Sequence, residues 1–81
     1  MKNKLEGMWI DLPKTDLKLA EALDVVLTTN QELWTATQKF GSVLRITCLN
    51  EPAQTNLYTA LRQNGISCMI AYTTGFNILI A

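Results

Sequence analysis

The stretch of sequence that decides the fold is residues 43–66, VLRITCLNEPAQTNLYTALRQNGI. Its first seven residues alternate between two faces and include β-branched side chains, which predicts a strand over 43–49. Asn50 is a typical helix N-cap, and Pro52 fits the first helical turn because its missing N–H has no partner there. Gly65 can take a positive φ and therefore ends the helix. These residues predict a strand that leads directly into a helix.

Two apolar segments follow this helix, residues 66–72 and 76–81, and Thr73-Thr74-Gly75 separates them. A three-residue loop with glycine at its last position predicts a β-hairpin in which Tyr72 pairs with Phe76 and Gly75 has a positive φ. The second segment is apolar on both faces, which is typical of a central strand and not of an edge strand.

The chain before residue 43 predicts one further strand and at least one helix. Alternation of apolar and polar residues over 5–12 indicates the strand, and Pro13 ends it. Over 16–40 an apolar stripe at helical spacing stays in phase up to Gly41, which favours one long helix. A capping-box pattern, Thr29-x-x-Glu32, favours instead a break at 28–30 and a second helix. We favour the break, because β-branched threonines and asparagine are poor residues inside a helix.

The predicted order of elements is therefore β-α-β-α-β-β, an α/β (α+β) two-layer sandwich that occupies residues 1–81 as a single domain. Right-handed helical crossovers make the first three strands parallel and place both helices on one face of the sheet. The last strand runs antiparallel to its hairpin partner, so we expect a mixed four-stranded sheet. We expect no internal repeat.

The residues Val43-Leu44-Arg45-Ile46, Asn50-Glu51-Pro52-Ala53 and Leu61-x-x-x-Gly65, followed by a hairpin with an apolar last strand, resemble the TusA/SirA-like sulfur-carrier family. The resemblance implies the two-layer β-α-β-α-β-β fold, which also occurs in the C-terminal domain of translation initiation factor three. Members of the family carry sulfur on the cysteine of a Cys-Pro-x-Pro motif, where the N-terminus of the first helix lowers the thiol pKa. The corresponding Leu12-Pro13-Lys14-Thr15 has no cysteine, so we expect this chain to lack that chemistry.

Composition excludes several classes of function. Seven basic residues balance seven acidic ones, and a net charge of zero argues against a dedicated nucleic-acid-binding protein. The chain has no histidine, which excludes imidazole general bases and histidine metal sites. We therefore expect no enzymatic activity, no catalytic residues, no metal and no cofactor.

No stretch approaches the roughly 20 apolar residues of a membrane span, so we expect a cytoplasmic protein without membrane contact.

Cys48 and Cys68 are the residues that would carry sulfur in a divergent sulfur carrier. Two cysteines are too few for a disulfide framework and fit a reducing compartment. Both fall on strand faces that also carry leucine or isoleucine, so we expect buried and unreactive thiols.

The sheet face opposite the helices is the strongest candidate for a functional surface. The two-layer fold leaves this face bare, and the strand pattern places large apolar side chains on it: Trp9, Val43, Leu49, Met69 and Leu79. Residues 52–81 contain one charged residue, Arg62, so little charge repulsion opposes association. We expect a non-catalytic protein-interaction module that forms a homo-oligomer, such as a homodimer, or binds another protein. The alternatives are a divergent sulfur carrier and an RNA- or DNA-binding protein of the same fold class.

Overall fold

The described part of the chain, residues 17–71 and 75–80 of a computed structural model, contains two helices, each followed by two strands. The helices are α1 (Leu17–Thr29) and α2 (Glu51–Gln63), and a single 3-10 turn at Gln31–Leu33 follows α1. The strands are β1 (Trp34–Phe40), β2 (Val43–Cys48), β3 (Met69–Ala71) and β4 (Asn77–Ile80). This architecture confirms the predicted α+β class. The strand predicted over 5–12 lies outside the described residues.

The strands are ordered β1-β2-β4-β3 in the sheet, and each neighbouring pair is antiparallel. β4 lies between two other strands, which confirms the central position predicted for it. β2 and β3 both run antiparallel to β4 and therefore run in the same direction, in agreement with the predicted crossover through α2. The sequence pattern predicts a mixed sheet, whereas the sheet of the described strands is antiparallel throughout. The reason is that β1 joins β2 through a hairpin and therefore runs antiparallel to it.

Residues 34–40 form strand β1, where the sequence pattern predicts helix. α1 ends at Thr29, so the predicted break is confirmed, whereas one long helix and a second full helix are both wrong. Phe40 pairs with Val43, which leaves a turn of two residues, Gly41 and Ser42. Gly41 has a φ of +62° and Ser42 has no positive φ, which is the pattern of a type II′ hairpin with glycine first. Gly41 therefore reverses the chain between two strands and does not end a helix.

Both ends of α2 follow the predicted capping residues. The Asn50 side chain accepts a hydrogen bond from the Ala53 N–H at 2.9 Å, and proline lies in the first turn. At the other end Gly65 has a φ of +77°. The N–H groups of Gly65 and Ile66 donate to carbonyls of the last helical turn at 3.0 Å, as in a Schellman motif. Local backbone chemistry thus bounds this helix on both sides.

Both helices cover the same face of the sheet, as predicted. Every second residue of β2 is buried, and these residues join the inward side chains of β4, α1 and α2 in one apolar cluster. The strands contribute Leu44, Ile46, Cys48, Ile78 and Ile80, and the helices contribute Leu23, Val26, Leu27, Ala53, Leu57 and Leu61.

The indole of Trp34 joins the end of α1 to the start of β1. The residue is 2% exposed, and its Nε1–H donates to the Leu27 carbonyl at 2.8 Å. Leu27 lies in the last turn of α1, where carbonyls lack an intrahelical partner. The bond therefore satisfies a buried acceptor where the chain passes from the helix layer to the sheet.

The described elements form two αββ units that repeat along the chain. α1 and α2 each have 13 residues, and they begin 34 positions apart, at residues 17 and 51. Gly41 and Gly75, which both have a positive φ, are also 34 positions apart. The same spacing relates two pairs of core leucines, Leu23 with Leu57 and Leu27 with Leu61. The sequence prediction of no internal repeat did not consider these few structural positions, and the spacing does not extend to the edge strands, whose registers against β2 and β4 differ by three residues.

The register of β2 and β4 has the symmetry that such a repeat requires. If a two-fold axis relates residues that are 34 positions apart, it must map one β2–β4 pair onto itself. It must also exchange the pair before this one with the pair after it. The unchanged pair is Arg45 with Leu79. The exchanged pairs are Leu44 with Ile80 and Ile46 with Ile78. A pseudo-two-fold axis therefore passes through the sheet between Arg45 and Leu79.

Replacing Gly75 by alanine is expected to lower the free energy of unfolding by about 1 kcal/mol, because an L side chain is strained at a φ of +125°. A Cβ at this position would meet no atom within 4 Å, so backbone strain accounts for the loss. Thermal and urea unfolding measure it, with Ser42→Ala as the control in the other turn. Coincident transitions for Gly75→Ala and the parent would show that the predicted turn at 73–75 does not form in solution.

Replacing Trp34 by phenylalanine is expected to lower the free energy of unfolding by about 1 to 3 kcal/mol, because the buried Leu27 carbonyl loses its donor. Thr35→Val changes an exposed side chain of the same strand and should stay within about 0.5 kcal/mol of the parent. Urea unfolding followed by circular dichroism compares the two variants. If Trp34→Phe is as stable as the control, the indole bond contributes nothing to the fold.

Candidate interaction surface

The sheet face opposite the helices, called the outer face below, carries side chains from all four strands. The strand register aligns them in rows across the sheet, and the central row is Gln38, Arg45, Leu79 and Met69. The rows on either side contain Ala36, Phe40, Val43, Thr47, Ala71 and Asn77. The outer face is therefore centred on the pseudo-two-fold axis.

Apolar groups dominate the outer face. Met69 is 61% exposed and Phe40 is 48% exposed, while Val43 and Leu79 are half-buried. Two shallow grooves adjoin each other there and share Val43 and Leu79. The first, called the β3 groove below, has a volume of about 190 Å³ and is also lined by Ser67, Cys68 and Met69. The second has a volume of about 430 Å³ and is also lined by Phe40, Arg45, Ala71 and Asn77.

Arg45 is the one charged residue among the described side chains of the outer face. Its guanidinium carbon lies 4.7 Å from the centre of the Phe40 ring, a cation–π contact. Its Nη2 donates to Gln38 Oε1 at 2.8 Å. The Nε atom is buried and has no hydrogen-bond partner within the described residues. Phe40 and Gln38 both belong to β1, so they hold the positive charge on the β1 side of the face.

Three of the five predicted interface residues, Val43, Met69 and Leu79, lie on the outer face. Leu49 is 59% exposed and follows β2, where its N–H donates to the Leu33 carbonyl. Trp9 lies outside the described residues. Phe40 also lies on the outer face, although the sequence pattern predicts a helix there. The signal that identifies Phe40 is the two-residue Gly41-Ser42 turn, which places it opposite Val43 on the same face.

The two cysteines differ in their surroundings. Cys48 is buried in the core, as predicted, and burial raises the pKa of its thiol to about 11. Cys68 is half-buried, because it precedes β3 and does not lie within a strand. Burial also raises the pKa of Cys68, and the positive charge of Arg62 partly opposes that rise. Neither thiol has the depressed pKa that favours a thiolate nucleophile at neutral pH.

Within residues 17–71 and 75–80, no three His, Cys, Asp or Glu side chains come together in a way that could hold a metal ion. Neither of the described helices has the length and apolar character needed to cross a membrane.

Iodoacetamide at pH 8 is expected to alkylate Cys68 well before Cys48, because Cys68 is more exposed and the Cys48 thiol has a pKa of about 11. Peptide mapping at successive times measures both rates, and the chain unfolded in urea, where both thiols should react alike, is the control. Because burial raises the pKa of Cys48 to about 11, the folded state favours the neutral thiol. This group's contribution to the free energy of unfolding is therefore present below pH 9 and is lost as the pH rises towards 11. Faster labelling of Cys48 would contradict the burial of its thiol, and stoichiometric persulfide on either cysteine after treatment with a cysteine desulfurase would contradict the expectation that neither carries sulfur.

Comparison with known proteins gives no relative of the chain. No protein-family model matches it, no curated protein is significantly similar in sequence, and no solved structure is significantly similar in fold. The resemblance to the TusA/SirA-like family stays a prediction from the residues that carry it.

Proposed function

We propose that this chain is a non-catalytic protein-interaction module that self-associates through its outer face. The observation that supports the proposal best is the apolar surface that the described residues form around Leu79, where Met69 is 61% exposed and Phe40 is 48% exposed, while Asn77 at one end of the face is buried. Burying apolar area is worth roughly 25 cal/mol per Å², and monomeric proteins rarely leave large contiguous apolar patches in water. Covering this surface with a second copy removes that cost.

The charge on the outer face does not oppose such an interface. The Arg45 guanidinium already stacks on Phe40 and binds Gln38 within its own chain. These two contacts remain when a neighbour covers the face, so part of the cost of removing water from the charge is already met within the chain, although the buried Nε has no hydrogen-bond partner among the described residues. The remaining described side chains of the face are uncharged.

The two alternative functions have less support. A sulfur carrier needs an accessible thiol with a lowered pKa, whereas burial raises the pKa of both Cys48 and Cys68. A nucleic-acid-binding protein needs a basic surface, whereas the net charge is zero and the outer face has one described cation. The absence of both chemical signatures leaves association between proteins as the function that the surface serves best.

Replacing Met69 by lysine is expected to shift the chain from dimer to monomer without unfolding it, because a charge buried in the interface has no partner. Val25→Lys is the matched control, since Val25 is 60% exposed on α1 and Met69 is 61% exposed on the outer face. Light scattering at tens of micromolar measures the mass of both variants and of the parent, and circular dichroism reports folding.

Leu79→Lys, at the centre of the same face, is expected to give the same result as Met69→Lys. A parent chain that is monomeric at these concentrations would refute the proposal. A dimer that persists in both outer-face variants and dissociates in Val25→Lys would place the interface on the helices.

A further inference from the structure

The outer face favours one orientation of a second copy of the chain, an inference that rests on the proposed function. We infer that the dimer axis runs along the strands, in the plane between two outer faces that pack against each other. β1 of each copy then lies over β3 of its partner, and Phe40 of one copy enters the β3 groove of the other. The partner is thus a second copy whose contacts are set by unlike edges of the same face.

Two orientations are possible when two copies stack on the centre of the outer face with their strands nearly aligned. The pseudo-two-fold axis between Arg45 and Leu79 marks the centre of the outer face, and stacking two copies on this centre gives the largest overlap of a sheet only four strands wide. The dimer axis then runs either along the strands or across them, and the strands stay nearly aligned in both cases, as in β-sandwiches. An axis along the strands places β2 over the partner's β4 and β1 over the partner's β3. An axis across the strands places each strand over its own counterpart.

The position of the positive charge favours the axis along the strands. Phe40 and Gln38 hold the Arg45 guanidinium on the β1 side of the face. An axis across the strands would stack β1 on β1 and bring two guanidinium groups together in a partly dehydrated interface, where like charges repel strongly. Arg45 belongs to β2 and its guanidinium reaches towards β1, so an axis along the strands separates the two groups by roughly two to three strand spacings, about 10 to 14 Å. The repulsion is weaker at that separation, because it falls with distance.

The shape of the face favours the same axis. Phe40 lies one row from the central row, opposite Val43, and is 48% exposed. An axis along the strands places this ring over the partner's β3 beside Met69, where the β3 groove is lined by Ser67 and Met69. An axis across the strands would place it over the partner's Ala36, which lines neither of the two grooves. Phe40 therefore faces the β3 groove of the partner only when the axis runs along the strands.

The size of the face sets the strength expected of this dimer. Specific interfaces bury at least about 1,200 Å² in total, roughly 600 Å² from each copy. Four strands about 4.8 Å apart give a face only roughly 20 Å wide. We therefore expect an interface at the low end of this range and a dimer that dissociates on dilution.

Chemical cross-linking through one introduced cysteine per chain, with Cys48 left buried in the core, distinguishes the two orientations. In the inferred one, Ala36 lies over the partner's Ala71, so a mixture of Ala36→Cys and Ala71→Cys chains should give a mixed cross-linked dimer as its main product. In the other, Met69 lies over the partner's Met69, so Met69→Cys alone should cross-link to itself. The reagent is a bis-maleimide matched to the separation of packed sheets, about 10 Å. All variants also carry Cys68→Ser to remove the half-buried thiol, and circular dichroism confirms that each remains folded.

The outcomes separate this inference from the proposed function. A cross-linked dimer of Ala36→Cys with Ala71→Cys, and no cross-linked dimer of Met69→Cys with itself, supports the orientation along the strands. Self-cross-linking of Met69→Cys overturns that orientation and leaves self-association through the outer face intact. A dimer in light scattering with neither product overturns the use of the outer face, and a parent chain that is monomeric overturns the proposed function itself.

Discussion

The pairing of β2 with β4 is the interaction on which the rest of the structure depends. Among the described strands it is the one ladder that joins the two αββ units in a single sheet. Side chains alternate along a strand, so a slip of one residue would turn Ile46 and Ile78 away from the helices and direct Arg45 and Leu79 towards them. One register therefore determines both which side chains fill the core and which remain on the outer face.

Signals that act over a few residues made α2 and the last hairpin predictable. Asn50 and Gly65 bound the helix through hydrogen bonds to adjacent residues. The ladder between β3 and β4 has the register implied by pairing residue 72 with residue 76. β1 was not predicted, because apolar residues up to Phe40 happen to recur at helical spacing. Gly41-Ser42 between two strand-like segments was the competing signal, and a two-residue hairpin with glycine first requires no more than that pair.

The outer face is predictable from the sequence only for residues of β2, β3 and β4, which the sequence pattern predicts as strands. Val43, Met69 and Leu79 were placed on the outer face because alternation along a known strand fixes the side to which each residue points. The position of the Arg45 charge could not be deduced, because it depends on contacts with Phe40 and Gln38, both of which belong to the strand that was read as a helix. The internal repeat was also missed, since it appears in the pairing of strands more clearly than in residue identity.

The two αββ units share one apolar core, but different hydrogen bonds connect the helix of each unit to its strands. In the first unit the Trp34 indole binds the Leu27 carbonyl, and the position 34 residues later is Cys68. In the second unit the buried Gln54 side chain donates to the carbonyls of Ala71 and Asn77, and the position 34 residues earlier is Ala20. The symmetric register thus supports two unlike edges of the outer face, a cationic aromatic one on β1 and a grooved one on β3. A symmetric face with two identical edges would place like groups together in any such dimer, whereas unlike edges allow each edge of one copy to meet the complementary edge of the other.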